Sequence, residues 1–418
     1  MKPPRTLVMA VVPALVGLTL ASAPTYAGTH HGGQSRSTSF AFKSSGYGTH
    51  LNGGQLPGGS STSGWRAIGC TNQAGRDRTN DVGTATLPGL GTASDIKTHL
   101  WTSARNGVVA AHSLHRIGRI DLVQTGLGSL ALTAITSRAT ASHDASGFHA
   151  ATTTHVGGLS FTPPIGPAES FPLPTPDQPL TIPGVATIYA GQHTTRQSAT
   201  GSLADAYALR IDVIPTGSRL KVAHSHAELN SGMTGGLFGG HAAATHVVSA
   251  LDGTLESGPN PLTHMPCQGT NGKLKKKSLA NGSLADQLLF QNANSSERGN
   301  QGTDSAHGMS RASVGRVSLG GQVVIKGVVG KVSVTRHGKK VTKSTTGTQL
   351  GTVTVAGQKQ TFPKTGVLEI PGVAKFERSV VTRTHNGIAV IGLRVTLLDG
   401  TGAVVDFGEA SLKIGRLS

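Results

Sequence analysis

Ile182-Pro183-Gly184-Val185-Ala186 recurs letter for letter as Ile370-Pro371-Gly372-Val373-Ala374, 188 residues further along the chain. The repeat extends outward in both directions. Cys70 and Cys267 lie 197 residues apart, as do Gly118-Arg119-Ile120 and Gly315-Arg316-Val317. Further on, Tyr207, Leu209, Ile211 and Val213 match Ile391, Leu393, Val395 and Leu397 at a spacing of 184. Four anchors in one order mark an internal duplication. The drop from 197 to 188 is assigned to a Pro-rich insert, Pro163 to Pro179, carried by the first copy alone.

Within each copy the hydrophobic period is two, which places successive side chains on opposite faces of a strand. Leu209, Ile211 and Val213 alternate with Arg210 and Asp212, and Leu393, Val395 and Leu397 alternate with Arg394 and Thr396. On this pattern Tyr207 and Ile391 join the inward set. Pro215-Thr216-Gly217-Ser218 and Asp399-Gly400-Thr401-Gly402 supply the turn after that strand, so each copy closes in a hairpin. Long helical periodicity is absent. The expected fold is all-β: two tandem homologous modules, each a sandwich or barrel, built from Gly- and Thr-rich strands and hairpins. The expected segments are a signal peptide over 1–27, a polar linker over 28–37, copy one over 38–231, a Gly-rich linker over 232–244 and copy two over 245–418.

Composition bounds this reading. Gly and Pro number 58 and 20 of 418 residues, short of the roughly 25 to 30% that marks a disordered chain. With 10 Phe, 4 Tyr and 2 Trp, a core must come from Val, Ile, Leu and Ala, side chains that suit pleated sheets. Two cysteines exclude both a disulfide-dense scaffold and a four-thiolate zinc site. Lys2 and Arg5 precede an apolar run from Leu7 to Leu20 and then Thr25-Tyr26-Ala27, the layout of a secretory signal cut after Ala27. No later stretch reaches the roughly 18 uncharged apolar residues of a membrane span, so no transmembrane anchor is expected.

Export permits Cys70 and Cys267 to oxidise, and equivalent cysteines meet if the modules associate about a pseudo-two-fold axis passing near them. The alternative is one free thiol in each module.

No Gly-x-Ser-x-Gly occurs, and Gly89-Leu90-Gly91 and Gly126-Leu127-Gly128 lack the third glycine and the helix of a phosphate loop, so both read as turns. No cofactor is expected. His224, His226 and Glu228 fall on one face of the last strand of copy one, where side chains two apart can share a metal ion. The alternative is a solvated polar face. A spacing of 183 gives Phe407, Glu409 and Ser411 as the counterparts in copy two.

Copy two is the basic half. From Thr245 onward there are 21 Lys plus Arg against 10 Asp plus Glu, whereas Gly28 to Ala244 carries 14 against 10. Lys273, Lys275, Lys276 and Lys277 follow Cys267, and Arg336, Lys339, Lys340 and Lys343 surround an expected turn at His337-Gly338. Both groups read as exposed loops. Aromatic residues that stack bases are not interleaved with them, so nucleic acid is not expected as a partner. Anionic cell-wall polymers or acidic glycans fit better.

A cysteine shortly after Gly-rich strands, then Gly-Arg-Ile/Val, then Ile-Pro-Gly-Val-Ala and a closing hairpin resembles the choice-of-anchor P family of secreted bacterial proteins, over nearly the whole mature chain. The resemblance implies an envelope location and brings no catalytic residues. Ala403 to Ser418 reads as a last strand, without the family's variable anchoring segment. Together these readings point to a non-catalytic exported structural or adhesive protein at or near the cell envelope. The alternatives are an envelope-active hydrolase and a secreted metal or small-ligand module.

Overall fold

The computed structural model describes residues 35–53, 62–87, 89–124, 128–249, 257–284, 288–398 and 402–417. The signal peptide, the turn at 399–401 and residues 28–34 of the first linker lie outside them. Arg36 and Ser37 already belong to the first strand.

The first module opens with β1 (Arg36–Gly53) and β2 (Arg66–Ala74). Next come β3 (Asp77–Leu87), β4 (Gly91–Arg105), β5 (Val108–Gln124) and β6 (Gly128–Asp144), then the shorter β7 (Gly147–His155), β8 (Gly158–Thr162) and β9 (Glu169–Ser170). It closes with β10 (Leu180–Ile182), β11 (Ala186–Ser198), β12 (Gly201–Val213) and β13 (Ser218–Asn230). The second module begins with β14 (Leu237–Ser249) and β15 (Ser257–His264). β16 (Lys275–Leu284), β17 (Leu288–Gly302), β18 (Ser305–Leu319) and β19 (Val323–His337) follow, then β20 (Lys340–Ser344), β21 (Gln349–Val355) and β22 (Gln358–Gln360). The chain ends with β23 (Val367–Ile370), β24 (Ala374–Arg383), β25 (Gly387–Leu397) and β26 (Val404–Gly415).

In the first module a six-stranded antiparallel sheet runs β10-β11-β12-β13-β1-β2, and a seven-stranded one runs β3-β4-β5-β6-β8-β9 with β7 also on β6. Adding thirteen to each number gives the two sheets of the second module. The duplication is thus present in the topology itself. The sheets stay open, and β1, β12 and β13 lie over β4 to β7 as β14, β25 and β26 lie over β17 to β19. Each module is a sandwich rather than a barrel.

The shared anchors have local causes. In Ile-Pro-Gly-Val, Pro presets the second turn position and Gly takes the positive φ of the third, the requirement of a type II turn. Gly184 and Gly372 have φ of 73° and 69°, and the Val185 and Val373 amides donate to Ile182 and Ile370 oxygens at 3.0 Å. Gly118 and Gly315 each face a left-handed residue, Asp95 or Asn292, both at φ 54°. A Cβ at 118 would fall 2.7 Å from Asp95 Cβ, and one at 315 would fall 3.0 Å from Asn292 Cβ. The close approach leaves room only for glycine.

Several expectations change. The segment 232–244 is no linker, because Leu237 to Ala244 belong to β14, between β15 and β26 at the heart of a sheet. Its glycines serve close approach: a Cβ at Gly240 would meet the Ser411 carbonyl oxygen at 2.1 Å. Copy two therefore starts at Leu237, and only 231–236 connects the modules. Tyr207 and Ile391 face outward, because a left-handed residue at Ala223 (φ 50°) and at its counterpart Gly408 (φ 68°) shifts the alternation by one while the pairing register is kept. Leu209, Ile211, Leu393 and Val395 are fully buried. The Pro-rich insert explains only part of the shortfall, since Leu122 pairs with Leu130 in the β5–β6 hairpin but Leu319 pairs with Val323 in its counterpart.

Two apolar clusters fill each sandwich, led by Ile96, Ile120 and Leu132 in the first module and by Phe376, Phe407 and Ile325 in the second. Equivalent serines bridge the sheets between them. Ser113 donates to the Ser45 oxygen and Ser310 to the His241 oxygen, each at 2.9 Å.

Candidate functional site

The basic segments separate once folded. Lys273 is an exposed loop residue, but Lys275, Lys276 and Lys277 lie on β16, the edge strand of the second seven-stranded sheet, and not on a loop. Consecutive edge lysines also block pairing with another chain. Lys339 and Lys340 are exposed at the β19–β20 hairpin, where His337 pairs with Lys340. Arg336 is the correction: it faces the core, 4% exposed, and donates to the Ile414 and Gly338 oxygens at 3.0 and 2.8 Å. It offers nothing to a ligand. Lys343 Nζ is held by the Thr384 and His385 oxygens at 2.8 and 3.3 Å.

The open face of that same sheet carries what linear reading missed. Arg311 stands directly opposite Lys331, and Arg316 directly opposite Lys326, on β18 and β19. Ser296 and Lys276 continue the first row and Gln291 and Asn281 the second. Directly opposed residues lie about 4.5 to 5.5 Å apart at Cα, and like charges placed so are destabilising without a counterion. Among the described residues no cation of this face makes an ion pair. A signal existed: the tight turn at Gly320-Gly321-Gln322 sets the register in which 316 meets 326 and 311 meets 331.

The first module shows what has changed. Between Asp77 and Ser170 there are 6 Lys plus Arg and 6 Asp plus Glu, against 13 and 3 between Lys275 and Gln360. By strand register, Asp81, Asp95 and Asp121 correspond to Ser278, Asn292 and Ser318. Arg119 Nε is neutralised by Asp121 at 2.7 Å, whereas its counterpart Arg316 has Ser318 two residues on. Of the three acids in the second sheet's span, Asp286 lies outside the described residues, Asp304 is in a hairpin turn and Glu297 is inside the sandwich.

Glu297 is fully buried. One carboxyl oxygen lies at hydrogen-bond distance, 2.9 Å, from Ser310 Oγ, whose own proton is directed at the His241 oxygen, and the other has no partner. Burial raises its pKa to about 9, only partly offset by the Ser310 hydroxyl, so it is a neutral acid at pH 7. Its equivalent in the first module is Leu100.

The histidine stripe does not form a metal site. His224 Nε2 and His226 Nδ1 both meet one oxygen of Asp205, at 3.0 and 2.9 Å, so the nitrogens that would ligate are spent on a carboxylate. Glu228 Oε2 is 3.8 Å from His226 Nε2 and from Lys43 Nζ. Among the described residues no group of three or more His, Cys, Asp or Glu is arranged to hold a metal ion. Burial works against charge on Asp205, but hydrogen bonds from both imidazoles outweigh it and hold the carboxyl well below the usual range. His224 is stacked between Tyr47 and Tyr207, with centroids at 4.6 and 4.5 Å. The register also corrects the counterparts, because His224 pairs with Tyr207 as Glu409 pairs with Ile391. The true spacing is 185, giving Glu409, Ser411 and Lys413. Glu409 in turn accepts from His241 and His246 at 2.8 and 3.1 Å.

Cys70 and Cys267 are joined in a disulfide between the modules, beside the equivalent residues Ala41 and Leu237. No helix among the described residues is long and apolar enough to cross a membrane. The sequence matches no family model and no curated protein.

Proposed function

We propose that this chain is an exported, non-catalytic, two-module protein of the choice-of-anchor P type that acts structurally or adhesively at the bacterial cell envelope. Its second module holds anionic wall polymers or acidic glycans. The observation that carries this reading is the segregation of charge: one sandwich balances cations with acids over its seven-stranded sheet, 6 against 6, and the other carries 13 cations against 3 acids. Unpaired surface cations raise the local concentration of polyanions through a field that salt screens over about 8 Å at physiological ionic strength. A charge-balanced sheet of the same fold is the internal comparison, since folding alone does not require the excess.

The test is co-sedimentation of the full chain with purified cell envelope and with acidic polysaccharide across a salt series. Binding is expected at low salt and is expected to fall steeply as salt rises. Absence of binding at low salt, or binding indifferent to salt, overturns the reading.

A further inference from the structure

We propose that the open face of the β16-β17-β18-β19-β21 sheet is a docking surface for a carboxylated polysaccharide, with the Arg311–Lys331 and Arg316–Lys326 pairs as its anchoring points. The proposal rests on the anionic-polymer reading above and moves the site from the lysine-rich edge and turn to the sheet.

The two pairs are five residues apart along β18, about 16 Å at strand rise, so no small anion spans both. Between and around them the face presents Ser313, Asn294 and Gln291 on neighbouring strands. Hydroxyl and amide groups between cation pairs match a chain that carries neutral hydroxyls between its charges, which is the chemistry of an acidic sugar polymer. Arginine's fork pairs bidentately with a carboxylate, while lysine supplies a point charge. The large side chains Ile325 and Val317 lie on the opposite, buried face, and Leu289, opposite Ser318, is the large apolar side chain exposed on the docking face, which among the described residues offers no aromatic platform for bases.

The hairpin lysines are less suited. Lys339 sits on the two-residue turn and Lys340 opens β20 at one end of the sheet, and Lys343 and Arg336 are engaged by backbone oxygens. Lys276 extends the Arg311–Lys331 row to the edge strand and belongs to the surface.

The experiment titrates the full chain with polygalacturonate, with poly(glycerol phosphate), with single-stranded DNA and with neutral dextran at low salt. Three variants are compared with the parent: R311Q/R316Q/K326Q/K331Q on the face, K275Q/K277Q/K339Q/K340Q at the edge and turn, and S318D, which restores beside Arg316 the acid found in the first module. The substituted side chains are exposed or half-buried and lie outside the core, and melting curves verify folding. Polygalacturonate binding is expected to weaken roughly tenfold or more in the face variant, to weaken measurably in S318D although no cation is removed, and to stay within about twofold of the parent in the edge variant. Loss confined to the edge variant overturns this surface and leaves anionic-polymer binding intact. A parent that prefers poly(glycerol phosphate) or DNA overturns the carboxylate assignment. A parent that binds none of the polyanions overturns the functional reading itself.

Discussion

Cys70 and Cys267 occupy equivalent positions in the two sandwiches and are bonded to each other, with Cα atoms 5.3 Å apart. The neighbours of the bond are equivalent as well. Ala41 pairs with Asn230 and Leu237 with Gly415, the same place on each last strand, and both pack beside the sulfurs.

Cleavage within 231–236, the only chain connection between the modules, should leave two fragments that migrate together on a non-reducing gel and separate on reduction. In C70S/C267S they should separate without reductant, and unfolding stability should fall by about 2–4 kcal/mol. Fragments of the parent that part without reductant would show that the bridge is not formed.

Glu297 opposes folding at neutral pH. Its folded pKa of about 9 lies above the unfolded value near 4.3, so the native state holds a proton that the unfolded chain releases, and stability declines as pH rises between the two. Glu297→Leu installs the residue found at the equivalent Leu100. Ser310 keeps its bond to the His241 oxygen. Stability at pH 7 should rise on the order of 2–3 kcal/mol, and the gain should shrink toward pH 4. Parallel pH profiles for parent and variant would contradict the neutral-acid assignment.

Asp205 and Glu409 act in the opposite sense. Their folded pKa values are depressed by paired imidazoles, so their stabilisation is complete above the unfolded carboxylate pKa near 4 and is lost as pH falls through the folded values. Glu228, at about 2, behaves alike. Asp205→Asn should cost about 2 kcal/mol at pH 7 and flatten the acid limb of the melting-temperature profile. An unchanged acid limb would rule out the Asp205 ion pairs as its source.

Gly118→Ala and Gly315→Ala should destabilise by about 1–3 kcal/mol, the former more, because the added methyl meets the Cβ of a left-handed residue on the paired strand. Gly83 lies on β3, where an added methyl would meet nothing within 4 Å, and Gly83→Ala should be neutral. Urea midpoints for the three variants decide the point, and equal midpoints would remove the close-approach explanation.

The repeat, the all-strand character, the type II turns and the inward placement of Leu209 and Leu393 were legible because each depends on residues close together in sequence. Periodicity misleads where a single backbone residue alters phase. The left-handed residues at Ala223 and Gly408 turned Tyr207 and Ile391 outward, and a connection before the last strand that is one residue longer in the second module, where one residue shorter was expected, displaced the histidine counterparts by two. Composition misleads at Leu237 to Ala244, where glycine for close strand approach looks the same as glycine for a flexible connection.

By itself the sequence determined a duplicated, basic, two-module β-protein, since local periodicity and turn chemistry require no knowledge of distant neighbours. Only tertiary structure decided that Arg336 is buried while Arg311 meets Lys331, that His224 and His226 each spend one ring nitrogen on Asp205, and that two cysteines 197 residues apart become one bond. The physical reason is common to all three. Whether a charge is free, paired or desolvated depends on what the opposite strand or the opposite module places within a few ångströms, and that is set by sheet register and sandwich packing.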